Sequence, residues 1–201
     1  SMTLLYIVLA TLAGNALSVL VAGMLTVSLL SRVVKSLVSL SAAERELYET
    51  ARLAAANAIT GAQSPNDRFA VLAWLTRLRR LSCHPRLFHE AWTGASSKLD
   101  AFLTIVDELR ATGHRALVFS QFTDHLALVN EVLVARGIST IYLGGSTPID
   151  ERARAVESFQ RGDGDLFLIS LKAGGTGLNL TAADHVIHLD PWWNPAVEDQ
   201  A

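Results

Sequence analysis

Three short stretches in the carboxyl-terminal half hold the residue types from which a phosphate site is built. Lys172-Ala-Gly-Gly-Thr-Gly gathers an amine, a hydroxyl and the glycines Gly174, Gly175 and Gly177 directly after the β-rich apolar run Asp165–Ser170. Without a Cβ, a glycine backbone can take positive φ and approach a ligand with its N–H groups, which suits an anion and most simply a phosphate. Ser120-Gln121-Phe122-Thr123 ends a second apolar run, and Tyr142-Leu-Gly-Gly-Ser-Thr-Pro follows a third. Hydroxyls and amides placed there can hydrogen-bond a phosphate backbone without reading bases. Cys83 beside His84 is a weaker candidate, because two adjacent side chains with no further ligands make a poor metal site. The expectation is therefore no metal site and no catalytic side chain of the chain's own.

The elements that must position these residues follow a strict alternation. Ser97–Gly113 reads as an amphipathic helix with Ser97 as cap, Leu99, Phe102, Leu103, Val106 and Leu109 inward, and Gly113 as its stop. Then come a strand over 115–120, a helix over 124–136, a strand over 139–143 and a helix over 148–161, with Thr147 as cap and Pro148 at the first position. Strands over 165–170 and 185–190 complete the set, with a glycine loop between them. Connections this short require parallel strands, hence an α/β doubly wound sheet with flanking helices, whose ligands bind beyond the carboxyl ends of the strands. All three phosphate candidates fall at such ends.

Upstream, Ser41 with Glu44 forms a capping box opening a helix over 42–60, and Gly61–Asp67 is a loop by composition. A second helix over 69–81 carries Phe69, Leu72, Leu75 and Leu78 on one face and ends near Cys83-His84-Pro85.

The string LISLKAGGTGLNLTAADHVIHLDPWWNPAVEDQA closely resembles the fifth conserved motif, with its extension, of the Swi/Snf-type ATPases, the DNA translocases of the superfamily-two helicases. Ser120–Thr123 resembles that family's fourth motif, and Tyr142–Pro148 its LDGST segment, with Gly144 where Asp is usual. LSAAERELYE and LTRLRRLSCHPRL look like its link between two motor domains. The resemblance implies a RecA-like carboxyl-terminal motor lobe over 97–201, a helical linker over 39–96 and a separate hydrophobic segment over 1–38. It implies DNA-backbone contacts from Ser120, Gln121, Thr123, Lys172, Ala173, Gly174 and Thr176, with Trp193 supporting the DNA-facing loop. Gly175, Gly177, Asn179 and Gln200 would face a nucleotide, ATP with Mg2+, in the cleft against a first motor lobe. Gln200 matches the first residue of the sixth motif, so the chain is expected to be cut short of the arginine finger. No GxxxxGK[ST] loop occurs in the 201 residues, and the chain alone is expected to bind no nucleotide and hydrolyse none.

Charge and hydropathy bound the alternatives. The single cysteine leaves no internal disulfide, consistent with a reducing compartment. Residues 32–97 carry nine Lys/Arg against five Asp/Glu, whereas residues 98–201 carry eight against fourteen. DNA contact in so acidic a half must be a narrow track along the backbone and not a basic face. The positive mean hydropathy, +0.31, has a local source, since no charged residue occurs between Met2 and Ser31. Residues 3–31 are long enough to cross a bilayer and carry small residues at Ala10, Gly14, Ser18 and Ala22, with Arg32 and Lys35 following. The motor lobe is expected to be cytoplasmic and nucleoid-associated, with membrane association through residues 3–31 as a second expectation. The competing function is a membrane-anchored, non-catalytic binding fragment.

Overall fold

Strand β1, Ala116–Ser120, is buried along its whole length and organises the rest. The computed structural model describes residues 40–60, 67–145, 147–174 and 180–190. Around β1 lie β2 (Thr140–Leu143), β3 (Leu166–Ser170) and β4 (His185–His188), all parallel, in the order β2-β3-β1-β4. Helices α3 (Ser97–Ala111), α4 (Thr123–Ala135) and α5 (Ile149–Gln160) flank the sheet, and a single turn, α6 (Leu171–Gly174), follows β3. Helices α1 (Ala42–Thr60) and α2 (Asp67–Cys83) precede the sheet. This is the RecA-like α/β fold that the motif order implies.

Side chains alternate across a strand, so β1 serves two cores. Ala116 and Val118 join Leu166, Leu168 and Ile187 against Phe102, Ile105, Val106 and Leu109 of α3 and Leu126, Val129 and Leu133 of α4. Leu117 and Phe119 face the other way, with Phe167, Ile169 and Leu143, against Phe159 of α5. Burying each such Leu or Phe contributes about 1.5–3 kcal/mol. Gly113 and Gly137, at φ +74° and +70°, stop α3 and α4 in the left-handed conformation that a Cβ resists.

Local details correct several expectations. The cap of α3 is Ser96, whose hydroxyl accepts from Leu99 N, and Ser97 is the first helical residue. Ser97 is occupied otherwise, because Glu44 takes its N–H at 3.0 Å and its hydroxyl as well. Glu44 also completes the Ser41 capping box, accepting from Ser41 N at 2.9 Å while Ser41 Oγ accepts from Glu44 N at 3.2 Å. One buried carboxylate thus caps α1 and α3 together and fastens the helical pair to the sheet domain. Burial opposes ionisation there, but the hydrogen bonds from Ser97 and Ser41 win and hold the carboxyl below its ordinary value. On α2, Phe69, Leu72 and Leu75 are exposed, so the apolar stripe seen in the sequence is not a core face among the described residues. At the end of α2, Cys83 is buried, its thiol pushed up to about 12 by desolvation. His84 Nδ1 accepts from Arg86 N at 3.1 Å to cap the 3-10 turn Pro85–Leu87. That segment packs as a helix end.

No helix among the described residues is long and apolar enough to cross a membrane. Residues 3–31 lie outside the described residues.

Candidate functional site

The carboxyl ends of the central strands bring the sequence candidates together. Ser120 and Ser170 are register partners at the ends of β1 and β3, and Asp190 lies two residues past the end of β4 beside them. Ser120 is fully buried, and its hydroxyl donates to Asp190 Oδ1. Gln121 N donates to Asp190 Oδ2 at 3.1 Å, and Phe122 N donates back to Ser120 Oγ at 3.1 Å. The Asp190 carboxylate therefore fixes the turn between β1 and α4. Desolvation would raise its pKa, but His125, the Ser120 hydroxyl and the Gln121 amide prevail, and the group is held below its ordinary 3.8. His125 Nδ1 stands 4.0 Å from Asp190 Oδ1, beyond hydrogen-bond reach.

Ser120 is thus turned into the protein, while Gln121 is half-buried and Thr123 exposed at the first turn of α4. Thr123 does not cap that helix, since the cap residue is Phe122 with no side-chain bond. The Thr123 carbonyl accepts instead from Tyr142 Oη at 3.4 Å, tying β2 to the start of α4.

The second candidate loop, after β2, is closed by Thr147, whose Oγ1 accepts from Gly144 N at 3.0 Å. That is a different task from the helix cap expected of it, and the residue before α5 is Pro148. From the first turns of α5, Arg152 reaches back to donate to Thr147 O at 2.8 Å and Gly145 O at 3.1 Å. A guanidinium is always charged and offers a rigid fork of donors, so two loop carbonyls are held by one side chain. At Gly144 a Cβ would meet the Tyr142 ring at 3.1 Å, so the Asp usual in the resembled family would need that ring to shift.

The third candidate begins with a helical turn where a glycine loop was expected. Ser170 Oγ accepts from Ala173 N at 3.3 Å, which starts the turn α6. Lys172 is exposed, whereas Ala173 is fully buried and its N–H is given to Ser170 Oγ. A Cβ on Gly145 would lie 3.8 Å from Ser170 Oγ and 3.9 Å from Lys172 Cδ, which puts the second and third loops side by side. Gly174 ends α6. Gly175, Thr176, Gly177, Asn179, Trp193 and Gln200 lie outside the described residues.

Positive charge arrives at this edge from α2. Arg80 pairs with Asp124 at the start of α4, and the Arg79 guanidinium lies 5.7 Å from the Phe122 ring centroid. The Arg79 contact falls on the first candidate loop and the Arg80 contact on the residue just after it. The roles of Asp190, Arg152 and these arginines were not read from the sequence. Asp190 had a signal, an acid closing the apolar run His185–Leu189, but Arg152 had none, because its partners are backbone atoms brought near only by the turn.

Residues 97–201 match the model of the helicase conserved C-terminal domain. The chain is 38% identical over 173 residues to YwqA of Bacillus subtilis, assigned by name as an ATP-dependent helicase/translocase, covering 83% of this chain and 19% of that protein. It is 46% identical over 107 residues to the human chromatin-remodeling ATPase INO80, covering 53% of this chain and 7% of that one. Among solved structures, the Sulfolobus solfataricus SWI2/SNF2 ATPase C-terminal domain superposes with a TM-score of 0.70 at 28% identity, over 80% of this chain and 72% of that one. The chain thus spans a fifth or less of these two curated relatives.

Proposed function

Since the chain belongs to the helicase conserved C-terminal domain family, with SWI2/SNF2 ATPase relatives in sequence and structure, we propose that it acts as the C-terminal lobe of an ATP-dependent DNA translocase. In this reading residues 97–201 are the lobe and residues 39–96 the helical link to a first lobe. DNA is the partner, gripped through its phosphates without regard to sequence, and the work is done at the chromosome.

The observation that carries the reading is the convergence of three loops at one end of the sheet. Gln121, Thr123 and Lys172 are offered there, along loops fixed from inside by Asp190, Arg152 and Ser170. Hydrogen-bond donors on rigid turns suit a backbone track, because phosphate contacts position a duplex and carry no base information. Ser120 and Ala173 serve through the turns they hold, and Gly174 through its backbone. Thr176 and Trp193 extend the track, and Gly175, Gly177, Asn179 and Gln200 face the nucleotide.

ATP with Mg2+ belongs to the complete motor. The donor set of this chain does not suffice for a triphosphate, since its 201 residues include no phosphate-cradling Gly-Lys-Ser/Thr loop.

Fluorescence anisotropy with two labelled duplexes of unrelated sequence tests the DNA reading. We expect weak binding, equal for both sequences, that falls steeply between about 50 and 200 mM salt. Lys172→Ala should weaken both complexes alike and lower the slope of log K on log salt by about one. Binding that resists salt or prefers one duplex would refute a phosphate track.

A further inference from the structure

We propose that His114, Asp184 and His185 form a divalent transition-metal site at the amino-terminal edge of the sheet, opposite the loops described above. The register sets it up. Ala116 and His185 are partners at the starts of the neighbouring parallel strands β1 and β4, so the residues just before them meet. His114 Nδ1 contacts Asp184 Oδ2, and His185 Nδ1 lies 2.8 Å from Asp184 Oδ1. One ligand atom from each residue falls within 4.8 Å of the other two, and the imidazole centroids are 4.7 Å apart.

Two imidazole nitrogens and one carboxylate oxygen are a donor set for Zn2+, Co2+ or Ni2+, with bond lengths of about 2.0–2.2 Å for zinc. The two Asp–His contacts need only open to about 3.3 Å, the spacing of ligand atoms around a tetrahedral ion with bonds of about 2.0–2.1 Å, for an ion to take their place. The carboxylate is already oriented, because Arg115 N donates to Asp184 Oδ1 at 3.2 Å, the kind of outer contact that fixes a metal ligand. The charge that could repel a cation is turned away. Arg115 directs its guanidinium to Gly164 O and Asp163 O, 3.9 Å from the Phe159 ring centroid on the other face. His114 and Asp184 are exposed, so an ion has access and the remaining coordination positions go to water.

A second trio, Cys83, His125 and Asp190, is fully buried but does not fit a cation. Lys98 lines the same cavity of about 10 Å³, and its Nζ is buried there with no hydrogen-bond partner. The Asp190 oxygens are already taken up by Ser120 and Gln121.

The test is calorimetric titration of Zn2+ into the untagged 201-residue chain, with Co2+ visible absorption as the coordination readout. We expect saturation at one equivalent. His185→Ala should weaken binding at least tenfold with an unchanged circular dichroism spectrum, because the His114 and Arg115 bonds to Asp184 survive. Cys83→Ser should leave the isotherm unchanged. Absence of saturable binding, an isotherm unaltered by His185→Ala, or a loss caused by Cys83→Ser would each overturn the assignment.

Discussion

Replacing Asp190 by Asn probes the turn on which the DNA reading depends. The substitution keeps the size of the side chain but removes its charge and turns one acceptor into a donor. In the native protein one oxygen takes the Ser120 hydroxyl and the other the Gln121 N–H. In the variant the amide can keep one of these, and its NH2 then faces whichever donor is left. Hydrogen bonds to a charged group contribute about 1.5–3 kcal/mol each, and a buried donor without a partner costs about 1–3 kcal/mol. Asp190 is 2% exposed, so water offers little compensation. We expect a loss of about 3 kcal/mol, which lowers Tm by about 6–12 °C in a protein of this size. The pH dependence has a definite sign. The folded carboxyl lies below its ordinary 3.8, so its stabilisation is complete above the unfolded value and lost as pH falls through the folded one. Urea denaturation of both proteins should show the gap constant near neutrality and narrowing below about pH 4. In the same samples, duplex affinity should fall although Asp190 touches no ligand, because Gln121 is no longer held. A Tm change under about 2 °C, or a stability gap that persists unchanged in acid, would refute the anchoring role.

Two further substitutions test how the pieces are fastened. Glu44→Ala removes the acceptor shared by Ser41 and Ser97, and should cost about 2–4 kcal/mol by chemical denaturation, with a coupling of about 1–2 kcal/mol to Ser97→Ala in a double-mutant cycle; strict additivity would argue that the two helix ends are independent. Phe159→Ala empties a fully buried position in the second core and removes the ring beneath Arg115, for an expected loss of about 3–5 kcal/mol in the same assay, whereas a loss below about 1 kcal/mol would mean that α5 is not a structural wall of the sheet.

The fold was legible because burial on both faces of a parallel sheet writes itself as short apolar runs, and the helices between them as amphipathic ones. Each strand was found within a residue or two of its expected bounds. Caps were less legible. Ser96 and Ser97 are equivalent in sequence, and only the reach of Glu44 across 53 positions explains why Ser97 takes another partner. The stripe Phe69, Leu72, Leu75 has core periodicity yet is exposed, since periodicity reports that a face is apolar and not what covers it. At the candidate site the loops could be located from their glycines and hydroxyls. What holds them could not, because Asp190 and Arg152 act on groups 69 and 7 positions away through the sheet and the turn.

That division bears on how an acidic lobe can hold a polyanion. Residues 98–201 are net negative, so a general attraction to DNA is not available to them, and the proposed phosphate track rests on a few donors whose positions are set in advance. Several of the lobe's charges are spent on this positioning. The Asp190 carboxylate pins the first loop from within, and the Arg152 guanidinium is consumed by carbonyls of the second. Basic side chains reach the same end of the sheet from α2, where Arg79 lies over Phe122 and Arg80 pairs with Asp124 just past that first loop. The helical pair is in turn locked to α3 through Glu44 of α1. A rigid path therefore runs from the helical pair, through both the carboxylate cap and the arginine contacts, to the turn that presents Gln121 and Thr123. A shift of the helical pair must therefore carry the turn that presents Gln121 and Thr123 with it.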